Sequence, residues 1–136
     1  MSIVYIGLAI EKKVIISYSP LNFNYTDVVQ NTINVLKVNE EYKSSMRYKE
    51  NSIIYYIHSN YITYICIEFM QGENSNTFNF LLDIKKEFEN VFPNFDINNY
   101  NSSSIAELFQ SKIEMKVDSY DTTTYGKTNA NACSYS

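Results

Sequence analysis

NTFNFLLDIKKEFENVF, residues 76–92, decides how the rest of this chain is read. Phe78, Leu81, Ile84, Phe88 and Val91 recur at three- and four-residue steps, while Asp83, Lys85, Lys86, Glu87 and Glu89 fall mainly between them. That spacing predicts an amphipathic helix. Asp83 and Glu87 lie one turn apart and alternate with Lys85 and Lys86, which reads as a solvated face rather than paired catalytic acids. A helix with one apolar face must cover a sheet or another helix, and the residues before it supply a sheet.

Immediately upstream, residues 45–49, 52–58 and 61–69 are three short runs rich in β-branched and aromatic residues. Glu50 with Asn51, and Ser59 with Asn60, separate them as two-residue turns, in which an Asn tolerates positive φ better than most residues. Further out, residues 2–10 and 14–18 form another hairpin across Glu11, Lys12 and Lys13, and Pro20 stops its second strand. Gly7 within the first strand marks either a close helix approach or a bulge. A first helix follows over residues 25–36 or slightly beyond. Asn24 is placed to cap it, Asp27 sits at its positive end, and Phe23 and Val28 have staple spacing. Val29, Ile33 and Leu36 mark its apolar stripe, flanked by Val28, Thr32 and Val35.

Residues 71–75 are a polar link containing Gly72, and Phe92-Pro93 ends the helix that opened the reading. Residues 93–103 are a loop full of Asn and Ser. Ser104 and Glu107 then have capping-box spacing, and Ile105, Leu108, Phe109, Ile113 and Val117 give a third helix ending near Tyr120. Residues 121–136 carry almost no apolar periodicity and are expected to be disordered. The organisation is one domain over residues 1–120 and a polar tail over 121–136, as 136 residues suit one core and not two.

Composition narrows the function. Thirteen Tyr and eight Phe with no Trp predict an aromatic, β-rich core. A net charge of -4 with a single arginine, Arg47, argues against nucleic acid, since phosphate neutralisation needs clustered cations and the adjacent lysines, Lys12-Lys13 and Lys85-Lys86, come only in pairs. Cys66 lies in an apolar strand and Cys133 in the polar tail, so no disulfide framework is expected. The apolar run over residues 3–10 is far short of the ~20 residues of a membrane span, and no basic segment precedes it. The chain is expected to be cytosolic. Ser2 offers no myristoylation acceptor.

Chemistry finds little purchase. His58 is the sole histidine, beside a turn, with no metal-ligand or nucleophile-base partner in the pattern around it, so it reads as structural or surface. Cys66 reads as a small core residue. Three glycines and no glycine-rich phosphate loop disfavour a nucleotide enzyme. The expectation is no catalytic site, no metal and no cofactor.

The element order is strand, strand, helix, three strands, helix, helix (ββαβββαα), an α/β (α+β) sandwich: a five-stranded, antiparallel-rich mixed sheet with helices on both faces. With MRYKENSIIYYIHSNYITYICIEF as a three-strand meander and TFNFLLDIKKEF as the following helix, the chain resembles the longin domain, a profilin-like fold, at the N-terminus of certain R-SNAREs. The resemblance implies one helix on one face of the sheet and two on the other. The wording is nearest to the longin-type vesicle-associated membrane proteins that serve endosomes and lysosomes or vacuoles. The resemblance implies a regulatory and sorting domain in vesicle-mediated transport and membrane fusion, at the cytosolic face of endosomal, lysosomal or vacuolar, or Golgi membranes. Its implied partners are its own or a partner's SNARE motif and trafficking adaptor proteins. The alternatives are a longin-fold scaffold subunit of a coat or tethering complex, and a longin-only protein.

The groove between the first helix and the third strand is the candidate site. If the meander packs in the longin order, the third strand lies at a sheet edge, leaving backbone groups free for an added peptide, and Val29, Ile33, Leu36, Met46 and Tyr48 would give the groove its walls. Val29, Leu36 and Met46 equally fit core positions. In the resembled family this surface receives the SNARE motif in a closed state, or a regulator in its place. An R-SNARE continues into heptads with a central Arg and a membrane span, whereas sixteen residues without these features follow Tyr120 here. The expectation is an excised N-terminal domain or a longin-only protein, soluble as given, with membrane contact only through a missing anchor or a lipid on Cys133. Cys133 stands fourth from the end, as prenylation requires, but its following residues are not aliphatic.

Overall fold

The fold is known from a computed structural model, which describes residues 2–37, 40–49, 51–69 and 76–120. Its strands are set by tight turns. Strand β1 (Ser2–Ile10) turns into β2 (Lys13–Tyr18) through Glu11 and Lys12, at φ 52° and 72°. Strand β4 (Ser52–Ser59) turns into β5 (Ile62–Phe69) through Asn60 and Tyr61, at φ 55° and 69°. Two central residues with positive φ give a type I′ turn, whose twist matches that of the paired strands. The second turn therefore lies one residue later than the Ser59 and Asn60 expected from sequence, because Ser59 is still paired, with Ile62. Asn60 does take positive φ, and the bulkier Tyr61 takes it too.

Strand β3 (Tyr42–Tyr48) begins three residues before the expected start at 45. Tyr42, Lys43 and Ser44 do not look like a buried strand because β3 is an edge strand, with four of its seven residues exposed. It reaches β4 by a link in which Lys49 has φ 59°, so this turn starts earlier than the expected Glu50 and Asn51, of which Glu50 lies outside the described residues. The sheet order is β2-β1-β5-β4-β3, and every adjacent pair is antiparallel, so among the described residues no parallel pair accompanies the antiparallel ones expected of a mixed sheet. The physical reason is the crossover after β2: it carries the chain to the far edge, and the meander β3-β4-β5 works back until β5 meets β1.

Helix α1 (Thr26–Asn34) covers one face and helices α2 (Asn76–Val91) and α3 (Ser102–Asp118) cover the other. Sheet alternation splits the core accordingly. Tyr5, Ala9, Ile54, Tyr56, Ile65 and Ile67 meet α1, while Ile6, Leu8, Ile10, Ile62, Tyr64 and Cys66 meet α2 and α3. Near the start of β1 the register with β5 shifts between Ile3 and Tyr5, and Val4 and Tyr5 both join the α1 side, as a bulge requires.

Gly7 marks neither of the two things expected of it. The register shifts of β1 fall at Ile3/Tyr5 and Leu8/Ala9, and a Cβ on Gly7 would run into the ring and hydroxyl of Tyr5, two residues back on the same face. The ring is held there by a 2.9 Å hydrogen bond between its hydroxyl and Ser17 Oγ. Burial pushes the Tyr5 hydroxyl pKa up, partly offset by that bond.

Helix α1 is shorter than residues 25–36. Val35 is its C-cap, and Leu36 N–H closes a turn onto Ile33 O at 3.1 Å. Asn24 Oδ1 accepts from Thr26 N–H at 2.9 Å and so orders the approach, while Tyr25 occupies the cap without a side-chain capping bond. In α2 the buried set is Thr77, Phe80, Leu81, Ile84 and Phe88, rotated from the expected stripe so that Phe80 is covered and Phe78 and Val91 stand at its margins. The cause is α3, whose end brings the Tyr120 ring to 4.9 Å from Phe80. Helix α3 starts at Asn101, whose Oδ1 accepts from Ser104 N–H at 3.0 Å, three residues before the expected Ser104 cap. Ile105, Phe109, Ile113 and Val117 are buried as the period predicts, but Leu108 is 58% exposed. Phe88 is the aromatic hub of this layer, in contact with Tyr64, Phe92, Phe95 and Phe109. Each such pair adds ~0.5–1.5 kcal/mol beyond burial.

Candidate functional site

Edge strand β3 presents two unlike rows of side chains. Tyr42 and Tyr48 pack with the α1 core, and Met46 lies opposite Ile54 of that core, so Tyr42, Ser44, Met46 and Tyr48 face α1. Lys43, Ser45 and Arg47 face the other way, and the Lys43 ammonium stands over the Phe78 ring of α2, 5.2 Å from its centre.

Aromatic contacts tie α1 to this edge at both ends. Ahead of the helix, the Tyr25 ring meets Tyr48 at 6.5 Å, Phe23 at 6.3 Å and Tyr5 at 6.0 Å, all edge to face. Burial and the neighbouring Tyr48 push the Tyr25 hydroxyl pKa up. Behind the helix, Lys37 N–H donates to the Tyr42 hydroxyl at 3.1 Å, and the Tyr42 ring lies 6.0 Å from Tyr56. Between these ties the apolar groups that reach solvent are Met46 and, at the helix end, Val35.

Of the five residues singled out by sequence, Val29, Ile33 and Leu36 are closed off beneath α1, at 1%, 0% and 6% exposure, where the sheet already fills their apolar surface. Met46, 41% exposed, and the half-buried Tyr48 stand on the rim. The structure thus places the five on one side of the sheet and divides them into floor and rim. Phe23, largely exposed, extends the rim through its contact with Tyr25 and was not singled out; it lies ahead of the helix, where the helix period carries no signal. Val35, also exposed, falls off the Val29, Ile33, Leu36 stripe, as the helix period implies.

The groups weighed for chemistry are packed. His58 is buried, its Nδ1 2.6 Å from Thr63 Oγ1 and its ring against Tyr42. Cys66 is fully buried, and burial together with the Glu68 carboxylate pushes its thiol pKa well up, so the nucleophilic thiolate is suppressed. Glu68, which the sequence reading passed over, is the buried carboxylate of the sheet. The Thr77 hydroxyl donates to it at the start of α2, and the Tyr120 hydroxyl reaches it at 3.5 Å beyond the end of α3. It joins one strand to both covering helices; an acid in so apolar a strand was the available signal. Among the described residues no cluster of His, Cys, Asp and Glu suits a metal ion, and no helix is long and apolar enough to cross a membrane. Cys133 and the polar tail lie outside the described residues.

On the face away from α1, a cavity of about 240 Å³ opens between the β4-β5 turn and the end of α2. Tyr64, Phe88, Phe92 and Phe95 supply its aromatic walls, and Asn60 and Glu89 its polar ones. Compared with known proteins, residues 11–113 match the family model Longin, described as a regulated-SNARE-like domain. No curated protein matches the chain.

Proposed function

We propose, since this chain belongs to the longin family of regulated-SNARE-like domains, that it is the regulatory and sorting domain of an R-SNARE of the endolysosomal or vacuolar type. Family membership gives a regulatory role in membrane traffic, carried out through protein contacts. The finer reading is that a SNARE motif or an adaptor peptide lies along the α1 side of β3, so that the same surface holds a closed state or receives a regulator.

The observation that carries this reading is the outer edge of β3. Among the described residues β3 pairs only with β4, so its other backbone edge is open to an added strand. Met46 and Tyr48 offer apolar contact beside it, while Val29, Ile33 and Leu36 hold α1 on the sheet beneath. An arriving peptide would gain backbone hydrogen bonds from the strand and specificity from the rim.

Isothermal titration with the SNARE motif of the same protein, or with an adaptor peptide, tests the site. Met46→Asp combined with Tyr48→Asp changes the rim and leaves the helix floor in place. The expected result is at least a tenfold loss of affinity with an unchanged circular dichroism spectrum. Equal affinity in the folded double variant defeats the site assignment. Ile33→Asp is unsuitable as a probe, because a charge at a fully buried position would unfold the layer.

A further inference from the structure

The cavity under the β4-β5 turn is independent of the β3 side and lies on the opposite face of the sheet. It is built from the core outward. Tyr64 is 1% exposed, yet its hydroxyl forms no hydrogen bond within the described residues. Among the described residues no fully inaccessible polar side-chain atom lacks a partner, so this hydroxyl opens onto the cavity that Tyr64 lines. Its hydrogen-bonding capacity is therefore met from the cavity side, where a ligand donor can take the place of solvent.

Two carboxylates stand about the mouth. Glu89 lines the cavity and is near enough to help burial push the Tyr64 hydroxyl pKa up. One Glu89 oxygen meets Lys85 Nζ at 2.9 Å, an exposed i,i+4 pair of the kind worth ~0–1 kcal/mol, so that oxygen is readily exchanged and the other is open. Glu41 does not line the cavity but accepts from Ser59 Oγ, which does, at 3.2 Å. At about 240 Å³ the space is smaller than the ~300–1,000 Å³ of small-molecule sites and suits a single side chain.

We propose that this cavity is a second docking point, which takes the guanidinium of an arginine from a partner polypeptide. Its planar cation stacks on the half-buried Phe92 and Phe95 rings while its N–H groups donate to Glu89 and to the Tyr64 oxygen. Arginine fits better than lysine because a flat, weakly hydrated cation uses aromatic faces and two separate acceptors at once. The chain's net charge of -4 favours the approach of a basic segment.

The test is a ¹⁵N-correlation titration with N-acetyl-arginine methylamide, run beside its neutral citrulline counterpart and its lysine counterpart. The arginine probe is expected to give saturable shifts at the amides of Asn60, Glu89 and Phe92 at millimolar concentration, with citrulline at least tenfold weaker and lysine intermediate. Tyr64→Phe removes an oxygen that bonds nothing within the fold, so it should keep the melting temperature and weaken the probe three- to tenfold. Glu89→Gln should weaken it further. An equal response to citrulline, an unchanged dissociation constant in Tyr64→Phe, or no shift at these three amides overturns the proposal and leaves a cavity that holds only water. None of these results bears on the β3 groove.

Discussion

Gly7 shows how a single position without a side chain can set the packing of a whole face. The Tyr5 ring occupies the space above it, tied to Ser17 and to the Tyr25 ring, so one vacancy in β1 orients the aromatic row that leads to Tyr48. Gly7→Ala would force the ring aside and is expected to cost about 1–3 kcal/mol, as overpacking does in a filled core, read as a lower urea midpoint at unchanged slope. Tyr5→Phe in the same background removes both the closest clashing atom and the tie to Ser17, and should recover part of the loss. Sequence showed that Gly7 was special, through a glycine inside an otherwise β-branched strand. It did not show why, because two residues of one strand that share a face look alike whether their rings stand up or fold over.

Elements were legible where burial is steep. Runs of β-branched and aromatic residues marked β1, β4 and β5, whose side chains enter the cores on both faces of the sheet, and the three- and four-residue period marked α2 and α3, because each helix presents one dry face to the sheet. The start of β3 was not legible, since an edge strand half in water needs no apolar run, and Tyr42, Lys43 and Ser44 read as a link. The start of α3 was displaced for a different reason: Asn101 and Ser104 are both good caps, and only the chain path before them decides between the two. The observed bond makes Asn101 the cap. Asn101→Ala should therefore cost about 1 kcal/mol, while Ser104→Ala, an exposed position inside the helix, should leave the thermal midpoint unchanged or slightly raise it. The reverse order in melts of the two variants would restore the later cap. The groove was only half legible, because an apolar residue on α1 carries no mark of whether it meets the sheet or a visitor. Val29, Ile33 and Leu36 took the sheet; Met46 and Val35 kept water.

Over the whole molecule the two cores respond together to alkali. Burial pushes the Tyr5 and Tyr64 hydroxyls above their ordinary 10.0, and burial with Glu68 pushes the Cys66 thiol above 9.0. The unfolded chain releases these protons near the ordinary values while the fold keeps them. Stability is thus complete below about pH 9 and falls as pH rises beyond it, by ~1.4 kcal/mol per pH unit for each group that ionises only on unfolding. Denaturation midpoints followed from pH 7 to 11 should show this decline, and Tyr64→Phe should make it shallower. A flat alkaline limb would mean that these groups meet solvent in the folded state. Neither core contains the feature on which the proposed role depends, which is the open side of β3. Hydrogen exchange of the β3 amides that do not pair with β4, with and without the SNARE motif or adaptor peptide, tests that role most directly. Slowed exchange in Tyr42–Tyr48 on peptide addition is the predicted result; tight binding that leaves the exchange of β3 unchanged would contradict it.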